Sequence, residues 1–166
     1  PVDWWFVYKM PQNSCEKAGG APDCALRFAY VDAATTATTL SVVPGVTLAS
    51  AESALGRTLS PLYGAVPDVS DMGYVAYNDE PPDTTTTSSA FHAKGTIAAG
   101  TGGGFFVLHS VPKFPALPPS LGAYAWTASQ VYGQDALCVS LNVSTVDAAA
   151  ALLRVYHASA AGVYAA

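Results

Sequence analysis

The segment Phe91-His92-Ala93-Lys94-Gly95-Thr96-Ile97-Ala98-Ala99-Gly100-Thr101-Gly102-Gly103-Gly104-Phe105-Phe106-Val107-Leu108-His109-Ser110 decides the fold. Two strand-like runs flank a cluster of glycines, the pattern of a hairpin. The reading is a strand over 91–99, a turn over 100–103 and a return strand over 104–110. With Ala99 and Gly104 as the closing pair, facing residues sum to 203, and Lys94 stands opposite His109 on one face. A slip of one residue would turn His109 to the other side.

Within the first run His92 and Lys94 are two positions apart. On an extended segment their side chains share a face, with backbones about 7 Å apart. An imidazole beside an ammonium suits a phosphodiester. The lysine neutralises a non-bridging oxygen, and a neutral imidazole nitrogen attacks phosphorus or moves a proton. On spacing alone, His-x-Lys is common and more often structural than catalytic. His109 reads equally as a packed residue at a strand end, and His157 as a cation suited to the last turn of a helix.

Working outward, 2–9 reads as a strand on which Trp4 and Trp5 face opposite sides, so at least one is core. Residues 11–22 read as loop and 26–31 as a strand. A helix is predicted over 50–63, capped by Ser50, with Leu55, Leu59 and Leu62 at helical spacing and Pro61 disturbing its last turn. A strand over 72–77 is stopped by Asn78-Asp79-Glu80-Pro81-Pro82. A polar loop over 84–89, an extended proline-rich stretch over 112–119 and a strand over 137–141 follow. The last helix opens at Ser144-Thr145-Val146-Asp147 and fades near Tyr156. These elements predict an α/β or α+β fold, a mixed β-sheet flanked by helices, in one domain over 1–166 without internal repeats.

Hydrophobic residues make up 51% of the 166, enough for a buried core, and charged residues only 11%, well below the usual quarter. So sparse a surface points to a secreted, glycosylated protein or to a face covered by a partner. No apolar run approaches the roughly 20 residues of a membrane span. The net charge of −5 has the wrong sign for a DNA binder at neutral pH. At an acidic working pH, near about 5, carboxylates begin to titrate and histidine is protonated, so repulsion of phosphate falls. The opening Pro1-Val2-Asp3-Trp4 carries no initiator Met and reads as a processed or truncated start.

Cys15 and Cys24 bracket a short loop and could close a small disulfide, leaving Cys138 as an odd thiol. Asn142-Val143-Ser144 is a glycosylation sequon. No cysteine spacing suits zinc, and Asp3, Asp79 and Glu80 are too scattered to predict a metal site. Gly102-Gly103-Gly104 is no nucleotide cradle, since no Gly-Lys-Ser/Thr follows.

Seven blocks in order resemble the deoxyribonuclease II family. They are Pro1 to Lys9, Ala54 to Tyr63, Tyr77-Asn78-Asp79-Glu80-Pro81-Pro82, His92-Ala93-Lys94-Gly95, Gly103 to Pro115, Tyr132-Gly133-Gln134 and Leu137-Cys138-Val139-Ser140. The resemblance implies a phospholipase D-like half and a metal-independent acid endonuclease without cofactors. Such an enzyme uses two His-x-Lys motifs, one from each half: one histidine forms a phosphohistidine, the other protonates the leaving 5′ oxygen, and products carry 3′ phosphates. Carried over, His92 is the nucleophile, Lys94 holds phosphate and His109 assists. Lys113, Asn78 and Arg57 are expected to bind substrate. The sequence departs from the family in having Ala93 for the usual Thr, Ala98-Ala99-Gly100 where an acidic residue often stands, and an insertion from Cys15 to Cys24. The family partner of Cys138 would lie upstream of Pro1, and no second His-x-Lys motif is present.

The expected partners are DNA and a complementary half-chain or second copy, with no membrane, in a lysosomal or secreted setting. The competing expectation is an inactive nucleic-acid-binding half-domain or fragment.

Overall fold

A computed structural model describes residues 2–17, 24–35, 39–63, 72–82, 92–117, 122–126, 128, 131–157 and 163–165. Its strands are β1 (Trp4–Lys9), β2 (Phe28–Asp32), β3 (Ser41–Val42), β4 (Gly73–Asn78), β5 (Lys94–Gly100), β6 (Gly103–His109), β7 (Gln134–Leu141) and β8 (Val163–Ala165). The helices are α1 (Gln12–Lys17), α2 (Ala54–Leu59) and α3 (Val143–His157). The strands form one sheet in the order β3-β2-β1-β7-β6-β5-β4-β8. The class is the expected one, a sheet with helices. Every pairing described is antiparallel, however, where a mixed sheet was expected.

The β5–β6 hairpin has the expected register: Gly95 faces Leu108, Ile97 faces Phe106 and Ala99 faces Gly104. One further pair, Gly100 with Gly103, tightens the turn to Thr101-Gly102. Two glycines make that turn possible. Gly103 has φ 123°, a left-handed conformation that side chains disfavour. A Cβ on Gly104 would lie 2.1 Å from the Ala98 carbonyl oxygen.

One sheet face carries Trp5, Val7, Phe28, Ala76, Ala98, Val107, Ala136 and Cys138. It packs on Leu48, Leu55, Leu59, Leu62, Tyr63, Val111, Phe114 and Leu117 to form the core. Leu55, Leu59 and Leu62 are buried, as their helical spacing predicts. α3 packs against β5 and β6 on the other face, where Ile97 is buried. Beyond it that face stays open: Trp4 (39%), Tyr8 (38%), Leu108 (41%) and Leu137 (36%) are exposed.

Local chemistry moved several element ends. α2 begins at Ala54 because Ser53, not Ser50, caps it, its Oγ accepting the Gly56 N–H at 3.0 Å. Ser50 instead closes a turn, accepting the Glu52 N–H. Past Leu59 the chain tightens into a 3₁₀ turn, Ser60–Tyr63, since Pro61 cannot donate to an α-helix. Asn142 caps α3 through the Thr145 N–H at 2.9 Å, two residues before the expected Ser144. The expected loop over 11–22 contains α1. The expected loop over 84–89 lies outside the described residues. Cys24 is disulfide-bonded and Cys138 is free and buried, while the side chain of Cys15 lies outside the described residues.

Candidate active site

β4 ends at Asn78, directly opposite Lys94, the first residue of β5. Beyond this pair the chain turns through Asp79 and Glu80 into Pro81-Pro82, which cannot continue a ladder. Among the described residues, the β4–β5 ladder stops at Lys94. His92 lies in a bend outside the sheet, where a strand was expected, and Phe91 lies outside the described residues.

His92 and Lys94 are nevertheless brought together, by a carboxylate. Asp79 Oδ2 is 2.8 Å from His92 Nδ1, and Asp79 Oδ1 accepts a hydrogen bond from Lys94 Nζ. The three groups differ in depth. The imidazole is 88% exposed, while the side chains of Asp79 and Lys94 are only 9% and 3% exposed. Burial opposes ionisation of Asp79, but hydrogen bonds from Lys94 and His92 and the lysine charge outweigh it, holding the carboxyl below its ordinary range. The arrangement presents an exposed imidazole beside a buried carboxylate–ammonium pair.

His109 sits at the end of β6, one position past the Gly95–Leu108 pair, and is buried, as Lys94 is. Its Nδ1 accepts the Val111 N–H at 3.2 Å, and its Nε2 is buried without a hydrogen-bond partner. Burial, then the nearby Lys94 charge, pushes its pKa down to about 3, against a weaker upward effect of the Asp79 charge. An imidazole so placed is neutral and buried beside Lys94.

The expected substrate-binding residues divide. Asn78 is fully buried, with Nδ2 donating to the carbonyls of Val111 and Phe114 and Oδ1 accepting the Glu80 N–H. Its polar atoms hold the 111–114 loop against β4 and cap the turn at Glu80. Lys113, exposed at φ 55°, donates its backbone N–H to Glu80 at 2.8 Å, which places it on the loop beside Asp79. Arg57 is paired with Glu52 at 2.5 Å and lines a different cavity, with Trp5, Phe105 and Ser140, at the far end of the strands. Phe105 lies four positions before His109 on β6, about 13 Å away. Arg57 therefore stands apart from the site.

A shallow pocket of about 320 Å³, lined by Phe6, Ala93, Lys94, Leu108, His109 and Ser110, joins the site to the open sheet face. Among the described residues no three His, Cys, Asp or Glu side chains gather to hold a metal. Gly95, which follows Lys94, meets a packing need: a Cβ there would lie 2.6 Å from the Tyr77 hydroxyl. Asp79 is the member that sequence reasoning missed. Its signal was present in Asp79, just past the end of β4, but the β4–β5 pairing that brings it to Lys94 joins segments 15 positions apart in the sequence.

Comparison with known proteins shows what the chain is similar to. The family described as Deoxyribonuclease II matches residues 1–164. Deoxyribonuclease-2-alpha of Rattus norvegicus is 40% identical over 148 residues, covering 87% of this chain and 40% of the relative. Deoxyribonuclease-2-beta of Rattus norvegicus is 34% identical over 157 residues, with 94% and 42% covered. Cell-death-related nuclease 7 of Caenorhabditis elegans is 35% identical over 142 residues, with 86% and 35% covered. The chain thus spans about two fifths of the length of these relatives. A match along nearly the whole chain leaves one conclusion: the protein belongs to the deoxyribonuclease II family.

Proposed function

We propose that residues 1–166 form one half of an acid endodeoxyribonuclease that cleaves DNA without a metal and is completed by a second unit. The observation that carries this reading is the exposed His92 imidazole held on Asp79 beside Lys94. In this reading the His92 nitrogen donates its lone pair to phosphorus and the bond to the 5′ oxygen breaks. An acid on the second unit supplies the proton to that oxygen. Water then cleaves the phosphorus–nitrogen bond, leaving a 3′ phosphate and a free imidazole. Lys94 offsets the phosphate charge from below, and Lys113 lies on the adjacent loop.

Two features support a second unit. Among the described residues His92 is the one exposed imidazole beside the carboxylate, so the leaving group needs its acid from elsewhere. The open sheet face of Trp4, Tyr8, Leu108 and Leu137 reaches the site through its pocket, and Asp135 gives it an acidic rather than a cationic border. We assign that face to a second unit of similar fold, either a second copy or a complementary half-chain. The same reading places the protein in a lysosomal or secreted setting, which the exposed Asn142 sequon and the disulfide-bonded Cys24 suit. No helix among the described residues is long and apolar enough to cross a membrane.

The test is nicking of supercoiled DNA in EDTA at about pH 5. Activity that His92→Ala reduces at least about 10³-fold, a loss of about 4 kcal/mol of transition-state stabilisation, is the expected result. Equal activity in both proteins removes His92 from the mechanism. A second reading, a nucleic-acid-binding half-domain without catalysis, is favoured by the pairing of Lys94 with Asp79, which leaves the described half-site without an evident proton donor for the leaving group. Salt-dependent DNA binding without cleavage, even at high protein concentration, would select it.

A further inference from the structure

We infer that Asn142 carries an N-linked oligosaccharide on Nδ2 while its Oδ1 goes on capping α3, an inference that rests on the lysosomal or secreted setting proposed above. Asn142-Val143-Ser144 is the only Asn-x-Ser/Thr sequence in residues 1–166. Such a tripeptide also arises by chance, and three features of the fold raise it above that. The first is where the residue stands. β7 ends at Leu141 and α3 begins at Val143, so Asn142 links strand to helix. Residues 142–145 are all exposed, and Val143 shows 40% of its surface. A bulky polar chain attached there has solvent around it.

The second feature is which atom the fold uses. Asn142 Oδ1 faces the Thr145 backbone N–H at 2.9 Å. A backbone N–H only donates, so the atom opposite it is the carbonyl oxygen, and the amide nitrogen lies on the other side. Ser144 Oγ and Thr145 Oγ1 donate to the same oxygen, at 2.8 and 2.9 Å. Among the described residues the side-chain hydrogen bonds of Asn142 therefore all go through Oδ1, and Nδ2 is left to solvent. Glycosylation uses that nitrogen. A bond forms between Nδ2 and the first carbon of the sugar, and Nδ2 loses one proton. The bond from that carbon to the phosphate of a lipid-diphosphate-linked oligosaccharide breaks, and the lipid diphosphate leaves with the electron pair. The product is still an amide, so Oδ1 still accepts and the cap survives.

The third feature is distance from the site. Ala136 pairs with His109 and Leu141 with Gly104, so Leu141 stands five positions, about 17 Å, along β7 from the His109 row, and Asn142 lies one position beyond it. An oligosaccharide at this end leaves the His92 side open. It also adds hydration to a chain of which only 11% of the residues are charged.

Peptide mass spectrometry of the protein purified from its own cells tests the modification. The peptide holding Asn142 is expected to carry sugar, and release by a peptide-N-glycosidase should leave aspartate at that position. An unmodified Asn142 would overturn the inference. If Cys24 is disulfide-bonded in that sample, the secretory setting stands and only the oligosaccharide fails; if Cys24 is a free thiol, the setting fails with it. The retained cap is read on the 166-residue chain secreted from a eukaryotic host. The glycosylated chain and Asn142→Asp, which loses the sugar but keeps a capping oxygen, should have matching unfolding equilibria, and Asn142→Ala should unfold about fivefold more readily. A glycosylated chain as weak as Asn142→Ala would show that the sugar displaces the cap, and would overturn that half of the inference.

Discussion

His92 and His109 flank the same lysine in opposite surroundings. His92 precedes β5, lies open to solvent and rests on a carboxylate. His109 ends β6, takes a backbone N–H on Nδ1 and meets Phe114 edge-on at 5.7 Å between ring centres. The difference teaches that two histidines beside one lysine can have opposite exposure and opposite hydrogen-bond roles at Nδ1. What separates them is a partner for Nδ1 that accepts a proton in one case and donates one in the other, together with access to solvent.

Several experiments break or sharpen this contrast. The largest expected effect is the His92→Ala loss of cleavage, with folding intact by circular dichroism because the side chain is exposed. His109→Ala should do the reverse, unfolding the protein more easily by about 3 kcal/mol in urea, the scale of truncating a buried aromatic side chain. Cleavage lost in His109→Ala at full stability would erase the distinction.

The next effect is pH-dependent. The folded His109 pKa, about 3, lies below the ordinary histidine value, so the unfolded chain binds the extra proton between the two. This contribution to stability is complete above about pH 6.5 and declines as pH falls, by about 1.4 kcal/mol per unit, levelling off near the folded value. At pH 5 the cost is about 2 kcal/mol. Urea melts across this range should show the slope in wild type and a reduced slope in His109→Gln.

On the open face, Leu137→Lys should weaken self-association in sedimentation by at least about tenfold, or 1.4 kcal/mol, while leaving the thermal midpoint within a few degrees. A wild type monomeric at all concentrations would count against a second copy as occupant. The smallest effect belongs to Arg57→Ala. Its exposed ion pair contributes about 0–1 kcal/mol, and its distance from His92 predicts unchanged cleavage.

Legibility in the sequence followed how local each signal was. The β5–β6 register was readable because glycines at 100 and 102–104 pin a short turn, and the summed numbering held from Gly95 to Gly104. The leucines of α2 declared the core by spacing alone. Caps were less readable, since Ser50 and Ser53 offer the same hydroxyl three residues apart and only the folded turn decides between them. The six-residue α1 and three-residue β8 are too short for a periodic signature and went unforeseen. In the site, His92 and Lys94 were visible as a pair, but the Asp79 that joins them follows β4 and lies 15 positions before Lys94 in the sequence. The inward turn of His109 depended on the Val111–Phe114 segment closing over it, which no strand pattern encodes.

The account is tested most directly by titrating inorganic phosphate into the chain at about pH 5 while following the imidazole resonances of His92 and His109. Phosphate is expected to shift His92 in a saturable way, with the shift lost on raising ionic strength, and to leave His109 unmoved. A response at His109 with none at His92 would contradict the assignment of the reactive imidazole to the Asp79 side of Lys94.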